Sequence, residues 1–271
     1  MQEMSTASEY GLLRGPGTGF RLDRFPPGAN LAPLVERHWL VSWELPEGRT
    51  GSATLLPHPC VNLVLDRGRL GIAGVGLERF TYSFRSQGRV FGTKFRPGGF
   101  RGCLSAPVSS LTGRLLPAEQ LWGPSAVALA ASLTGPVENL IAQVEEFLRA
   151  RMPAPDPNVE LVGQIVAALL FDRTITRVDD VTARFGVAPR TLQRLFARYV
   201  GVSPKWVLRR YRLHEAAARL AEGHDRPWAE VAAELGYFDQ PHFIRDFTAA
   251  VGLTPVAYAQ LCRREQAPVR A

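Results

Sequence analysis

No run of 18 or more apolar residues occurs in the chain, which leaves no candidate for a helix that spans a membrane. The opening MQEMSTASEYGLL has neither the basic start nor the apolar core of a secretory signal. Cysteine is scarce. Cys60, Cys103 and Cys262 are widely spaced and odd in number, so they offer neither a disulfide framework nor a zinc knuckle. These absences point to a reducing cytoplasm and to no membrane partner. Lysine is nearly missing as well: it stands only at positions 94 and 205, and arginine carries the formal net charge of +7. A basic balance favours an anionic partner, and the planar arginine fork suits phosphates and guanine edges. At 271 residues, 46% apolar and 21% charged, the chain is long enough for two domains of ordinary globular make-up.

The two halves read differently. HWLVSWEL (38–45), SATLLP (52–57), CVNLVLD (60–66), RLGIAGV (69–75), FTYSFR (80–85) and RVFGTKFR (89–96) are apolar or alternating segments punctuated by Gly, Pro and Asp-Arg-Gly. Short strands at such close spacing favour an antiparallel sandwich or small barrel, a cupin-like form included, over a parallel sheet. SAVALAASL and VENLIAQVEEFLRA then show helical spacing, with Val137, Leu140, Ile141, Val144 and Leu148 on one side. RMPAPDPN (151–158) has three prolines and cannot continue a helix. The expected fold class is therefore α+β in two domains: a mostly β regulatory part over 1–135, a connector helix and proline-rich hinge over 136–158, and an all-α part over 159–271.

Within the helical half a short pattern occurs twice. Leu192, Arg194, Phe196, Gly201 and Pro204 answer to Phe243, Arg245, Phe247, Gly252 and Pro255, each 51 positions later. VDDVTARFG (178–186) predicts a short helix ending in a glycine turn, and Pro189 suits the first turn of the next helix. WAEVAAELG (228–236) repeats the arrangement with Trp228 on the inner side, and Asp239 stands where a cap is needed. Two short helices joined by a tight turn, the second with a polar outer face, meet the requirements of a helix-turn-helix. Between the units, Lys205 to about Ala221 predicts one helix of roughly 25 Å. A stiff spacer of that size suits two readers on major-groove segments about 34 Å apart.

RTLQRLFARYVGVSPKWVLRRYRLHEAA and AAELGYFDQPHFIRDFTAAVGLTPVAY together resemble the DNA-binding domain of the AraC/XylS family of transcriptional regulators, from about Val159 to Arg263. The resemblance implies a two-headed module of seven helices that contacts consecutive major grooves of promoter DNA, with Arg190–Arg198 and Gln240–Phe247 as recognition helices. His242, where many relatives have serine or tyrosine, and Thr254, for the usual serine, are mild departures. The first half resembles a sensor-like domain found with such modules, notably around HPCVNLVLD and GTKFRPGGF, and that likeness names no ligand.

The candidate base-reading residues are Arg190, Thr191, Gln193, Arg194, Gln240, His242 and Arg245; the candidate phosphate contacts are Arg198, Lys205 and Arg209. For Arg190, Gln193 and Arg194 the bland alternative is a solvated polar face. Arg209, Arg210 and Arg212 serve equally well as intramolecular braces, and Arg245 could instead pair with Asp246 or Asp239. In the first half, His58 and Cys60 would share a face of an extended strand, which is thin evidence for a metal or redox site. Trp39, Trp43 and Phe91 fit an effector pocket or a core. No catalytic residue, cofactor or metal is expected, and the rival reading is a DNA-associated enzyme or a redox or metal sensor that uses the N-terminal domain. The expected partners are double-stranded promoter DNA, a small-molecule effector, RNA polymerase if the protein activates, and a second copy through the connector helix.

Overall fold

The computed structural model describes residues 11–13, 19–151, 156–223 and 228–266. Among the described residues, nine antiparallel strands build the first half. A six-stranded sheet has the order β2 (Phe20–Phe25), β3 (Val35–Glu44), β8 (Gln87–Phe95), β5 (Asn62–Asp66), β6 (Arg69–Ala73), β9 (Leu115–Pro117). A smaller sheet has the order β1 (Leu12–Leu13), β4 (Thr50–Leu55), β7 (Phe80–Arg85). Phe20–Phe25 was not expected as a strand. It alternates apolar and polar residues and pairs with β3 from Phe20↔Trp43 to Phe25↔His38.

Two indoles account for two glycines in β8. Trp39 lies opposite Gly92 and Trp43 opposite Gly88. A Cβ at Gly92 would come within 2.2 Å of the Trp39 ring, and one at Gly88 within 2.4 Å of Trp43. Bare glycine backbone thus makes room for rings that cross the strand pair. Trp43 also packs on Phe84 of β7, ring centroids 5.0 Å apart, which ties the two sheets together. Phe91 belongs to the core, whereas Trp39 and Trp43 are half-buried.

Three helices close this half: α1 (Glu119–Trp122), α2 (Pro124–Ser132) and α3 (Val137–Arg149). Leu140, Val144, Phe147 and Leu148 of α3 are buried in one core with Val35, Phe95 and Phe100. Glu145 fixes the helix further: it accepts from the Gly28 amide at 2.6 Å and from His38 Nε2 at 3.2 Å. Burial lowers the His38 pKa, partly offset by Glu145. Of the apolar stripe considered for a dimer seam, Leu140, Val144 and Leu148 are therefore buried inside their own domain, and Val137 and Ile141 pack against the same core while partly exposed. Of the hinge, Met152–Pro155 lie outside the described residues.

The second half is all helical: α4 (Pro157–Phe171), α5 (Val178–Phe185), α6 (Pro189–Leu195), α7 (Pro204–Ala221), α8 (Trp228–Glu234), α9 (Gln240–Val251) and α10 (Pro255–Gln266). The first unit's core gathers Ile165, Val181, Leu192, Phe196 and Val207, and the second's Leu213, Leu235, Phe243, Phe247 and Tyr258. The Trp228 side chain, expected in that second core, lies outside the described residues. Among the described residues no helix is long and apolar enough to cross a membrane.

The β-rich half adds to both cores. Val75 packs into the first, and Leu13 and Leu56 into the second. Polar bonds follow the same seam. Buried His214 of α7 donates from Nε2 to the Leu56 carbonyl at 3.1 Å, Arg210 donates to the Leu77 carbonyl at 2.6 Å, and Thr112 to the Gly201 carbonyl at 2.7 Å. His58 and Cys60 do not lie in a strand. They sit in a tight turn in which the Cys60 amide donates to the His58 carbonyl at 2.8 Å. The His58 ring packs on His214 at 4.5 Å, while burial pushes the Cys60 thiol up to about 11. A thiol so protonated is a poor nucleophile and ligand. Among the described residues no group of three or more His, Cys, Asp or Glu could hold a metal ion.

Candidate nucleic-acid interface

Each reader helix is presented by local chemistry that its sequence encodes. At the start of α5, Asp180 accepts from the amides of Thr176 at 2.8 Å and Arg177 at 2.7 Å. These bonds, that from Arg177 foremost, hold its carboxyl below the usual range. Gly186 ends the helix with φ 62°, a left-handed conformation suited to glycine. Pro189 then opens α6 with its φ already helical. Past Leu195 the helix widens into one broad turn, Phe196–Val200, where the Gly201 amide bonds the Phe196 carbonyl at 2.8 Å.

Buried Leu192, Phe196 and Tyr199 anchor this helix, so the intervening side chains must point away. Arg190, Gln193, Arg194 and Arg198 are exposed and Thr191 is half-buried. Lys205, on the first turn of α7, is exposed too. Among the described residues Arg190, Gln193, Arg194 and Lys205 make no side-chain hydrogen bond or ion pair, and Arg198 rests 5.9 Å from the Tyr199 ring. Free arginines side by side on one helix face are electrostatically unfavourable without an anion nearby.

In the second unit, Asp239 caps α9 by accepting from the His242 amide at 2.7 Å. Phe243 and Phe247 are fully buried, which turns His242 and Arg245 outward and leaves Gln240 half-buried at the helix start. Arg245 pairs with neither Asp246 nor Asp239. Asp246 is buried and ion-paired to Arg209 at 2.6 Å, with His242 Nε2 3.6 Å away on the other carboxylate oxygen. Arg209 is thus a brace between α7 and α9 that keeps half its side chain exposed. Arg210 and Arg212 are braces as well: the first reaches Leu77, the second the carbonyls of Gly236, at 3.3 Å, and Thr176.

The structure therefore brings Arg190, Gln193, Arg194 and Arg198 together on one exposed face and sets His242 and Arg245 on another, with α7 between. The Arg209–Asp246–His242 set escaped the sequence reading. The four-residue spacing of His242 and Asp246 was its one local signal; the partner on α7 lies 37 positions away.

Two family models match the chain, one in each half. Residues 181–261 match a family model described as a helix-turn-helix domain, and residues 23–117 match a domain of unknown function, DUF6597. The HTH-type transcriptional regulator YtdP of Bacillus subtilis is 32% identical over 90 residues, covering 33% of this chain and 11% of that protein. The chain thus spans about a ninth of this curated relative's length. Among solved structures, a probable AraC family transcriptional regulator from Rhodopseudomonas palustris is 24% identical, with TM-score 0.34, over 40% of this chain and 99% of that one. ToxT from Vibrio cholerae, bound to (E)-4-(8-methylnaphthalen-1-yl)but-3-enoic acid, is 11% identical, with TM-score 0.42, over 90% and 99% of the two chains. The duplicated helix pairs, their glycine turns and the family match over 181–261 make the C-terminal part of this chain a helix-turn-helix domain.

Proposed function

We propose that the chain is a sequence-specific regulator of transcription that binds duplex promoter DNA through α6 and α9 in successive major-groove segments. One observation carries this reading: each recognition helix is pinned by buried apolar residues while Arg190, Gln193, Arg194 and Arg245 face outward with no hydrogen-bond or ion-pair partner among the described residues. Such groups supply base-edge contacts, and Arg198 and Lys205 supply phosphate contacts. Arg209 adds to the phosphate set with its exposed half, and Thr191, Gln240 and His242 flank the base-reading positions. RNA polymerase is the second macromolecular partner if the protein activates.

The β-rich half acts on the reader through the seam, where Leu13, Leu56 and Val75 complete the reader's cores. A small-molecule effector in that half would control DNA binding by favouring one arrangement of the seam over another.

The test uses the full chain and a library of random duplexes. Selection should yield a bipartite site, and affinity for it should fall steeply with salt as counterions are released. Arg190→Ala, Gln193→Ala or Arg194→Ala should each lose about 1–3 kcal/mol of preference for that site over scrambled DNA. Equal losses on every sequence would make these residues positioning contacts, and failure to select any site would refute the proposal.

A further inference from the structure

The two reader turns differ by one residue. From Gly186 to the buried Leu192 the chain takes six steps; from Gly236 to the buried Phe243 it takes seven. The residues that follow the glycines, Val187 and Tyr237, both face their cores. The additional residue in the second turn is Phe238. At 94% exposure it is the most exposed large apolar side chain among the described residues.

We propose that Phe238 is a thymine-reading residue whose ring packs against the 5-methyl group of a base in the major-groove segment entered by α9. The inference rests on the DNA-binding reading above and adds to it a contact of a different chemistry. Phe238 immediately precedes Asp239, the cap of α9, and residues at the start of a recognition helix are those that meet base edges. Phenylalanine has no hydrogen bond to offer there, and the thymine methyl is the apolar feature of the groove.

The turn that carries it is stiff. The Tyr237 ring lies 5.2 Å from His242 and 5.3 Å from Phe243, edge to face, and Arg212 holds the Gly236 carbonyl. A ring projecting from such a base keeps its direction on binding. Its exposed neighbours Asp239, Pro241, His242 and Arg245 leave it isolated, whereas a protein-docking surface needs a contiguous apolar patch. Arg245 on the same helix has no hydrogen-bond or ion-pair partner among the described residues, which favours an anionic polymer beside the ring.

The experiment takes the duplex selected by the full chain and replaces each thymine of the α9 segment by uracil, which deletes only the methyl group. Wild-type protein should lose about fourfold in affinity at one such position, the factor expected for one buried methyl. Phe238→Ala should bind the thymine duplex at least that much more weakly and show no thymine-over-uracil preference there, while Phe238→Leu should retain part of it. A Phe238→Ala variant that keeps wild-type affinity and the same preference overturns the inference and leaves the proposed function standing. An affinity loss that no thymine-to-uracil change reproduces overturns it too. Failure of the wild type to select any duplex refutes the DNA reading itself.

Discussion

Leu56→Ala tests whether the β-rich half completes the second reader core. Leu56 has no exposed surface and packs with Leu213, Ala217 and Leu220 of α7. Its backbone amide bonds the Gly11 carbonyl at 2.7 Å, and its own carbonyl accepts from His214 at 3.1 Å. Alanine keeps both bonds, so the substitution removes side-chain packing alone. Burial of this kind is worth about 2–5 kcal/mol on truncation. A middle value of about 3 kcal/mol raises the opening equilibrium of the surrounding helices about 150-fold. Hydrogen exchange of the full chain, read by mass spectrometry, should show that acceleration in amides of α7 and α9. The paired strands β3 and β8, held by a separate core, should stay protected. Faster exchange in β3 and β8 with α7 and α9 unchanged would refute the shared core and make the seam a passive contact.

Stability should fall on acidification. Burial, reinforced by the charge of Arg210, lowers His214 to about 3, so the unfolded chain binds a proton that the folded chain refuses as pH falls from about 6.5 towards 3. The loss amounts to about 2 kcal/mol at pH 5, and lowered His38 adds to it with the same sign. His214→Gln, which keeps a donor for the Leu56 carbonyl, should flatten this dependence in urea titrations at pH 7 and pH 5; an unchanged slope would mean that His214 titrates normally. Asp239→Ala removes the cap of α9 and should cost about 1 kcal/mol by the same titration at pH 7, with no change expected in the first reader unit's hydrogen exchange.

The legible parts of this chain are those fixed by neighbours in sequence. Alternation marked the strands from β3 to β8, and glycine, proline and the Asp239 cap marked where the reader helices start and stop. Apolar spacing showed which face of α6 and α9 turns inward, because a helix places every third or fourth residue on one side whatever covers it. Phe20–Phe25 was missed because its charges weaken the strand signal, and the edge of β3 that pairs with it lies elsewhere in the chain.

Tertiary structure decided what covers each face. The stripe on α3 suited a second subunit or its own domain equally well, and Val35, Phe95 and Phe100 settle the matter by filling it from within. Arg209, Arg210 and Arg212 are alike in sequence, and they became braces because Asp246, Leu77 and Gly236 arrive beside them from other elements. His58 and Cys60 gained their surroundings from α7, since His214 and Leu56 are 158 positions apart when they bond. By itself the sequence determined the two reader units and their outward arginines, through short-range periodicity and capping. Only the folded chain decided which charges lack a partner among the described residues and that the β-rich half packs into both helical cores, because those outcomes depend on long-range contacts that no local pattern encodes.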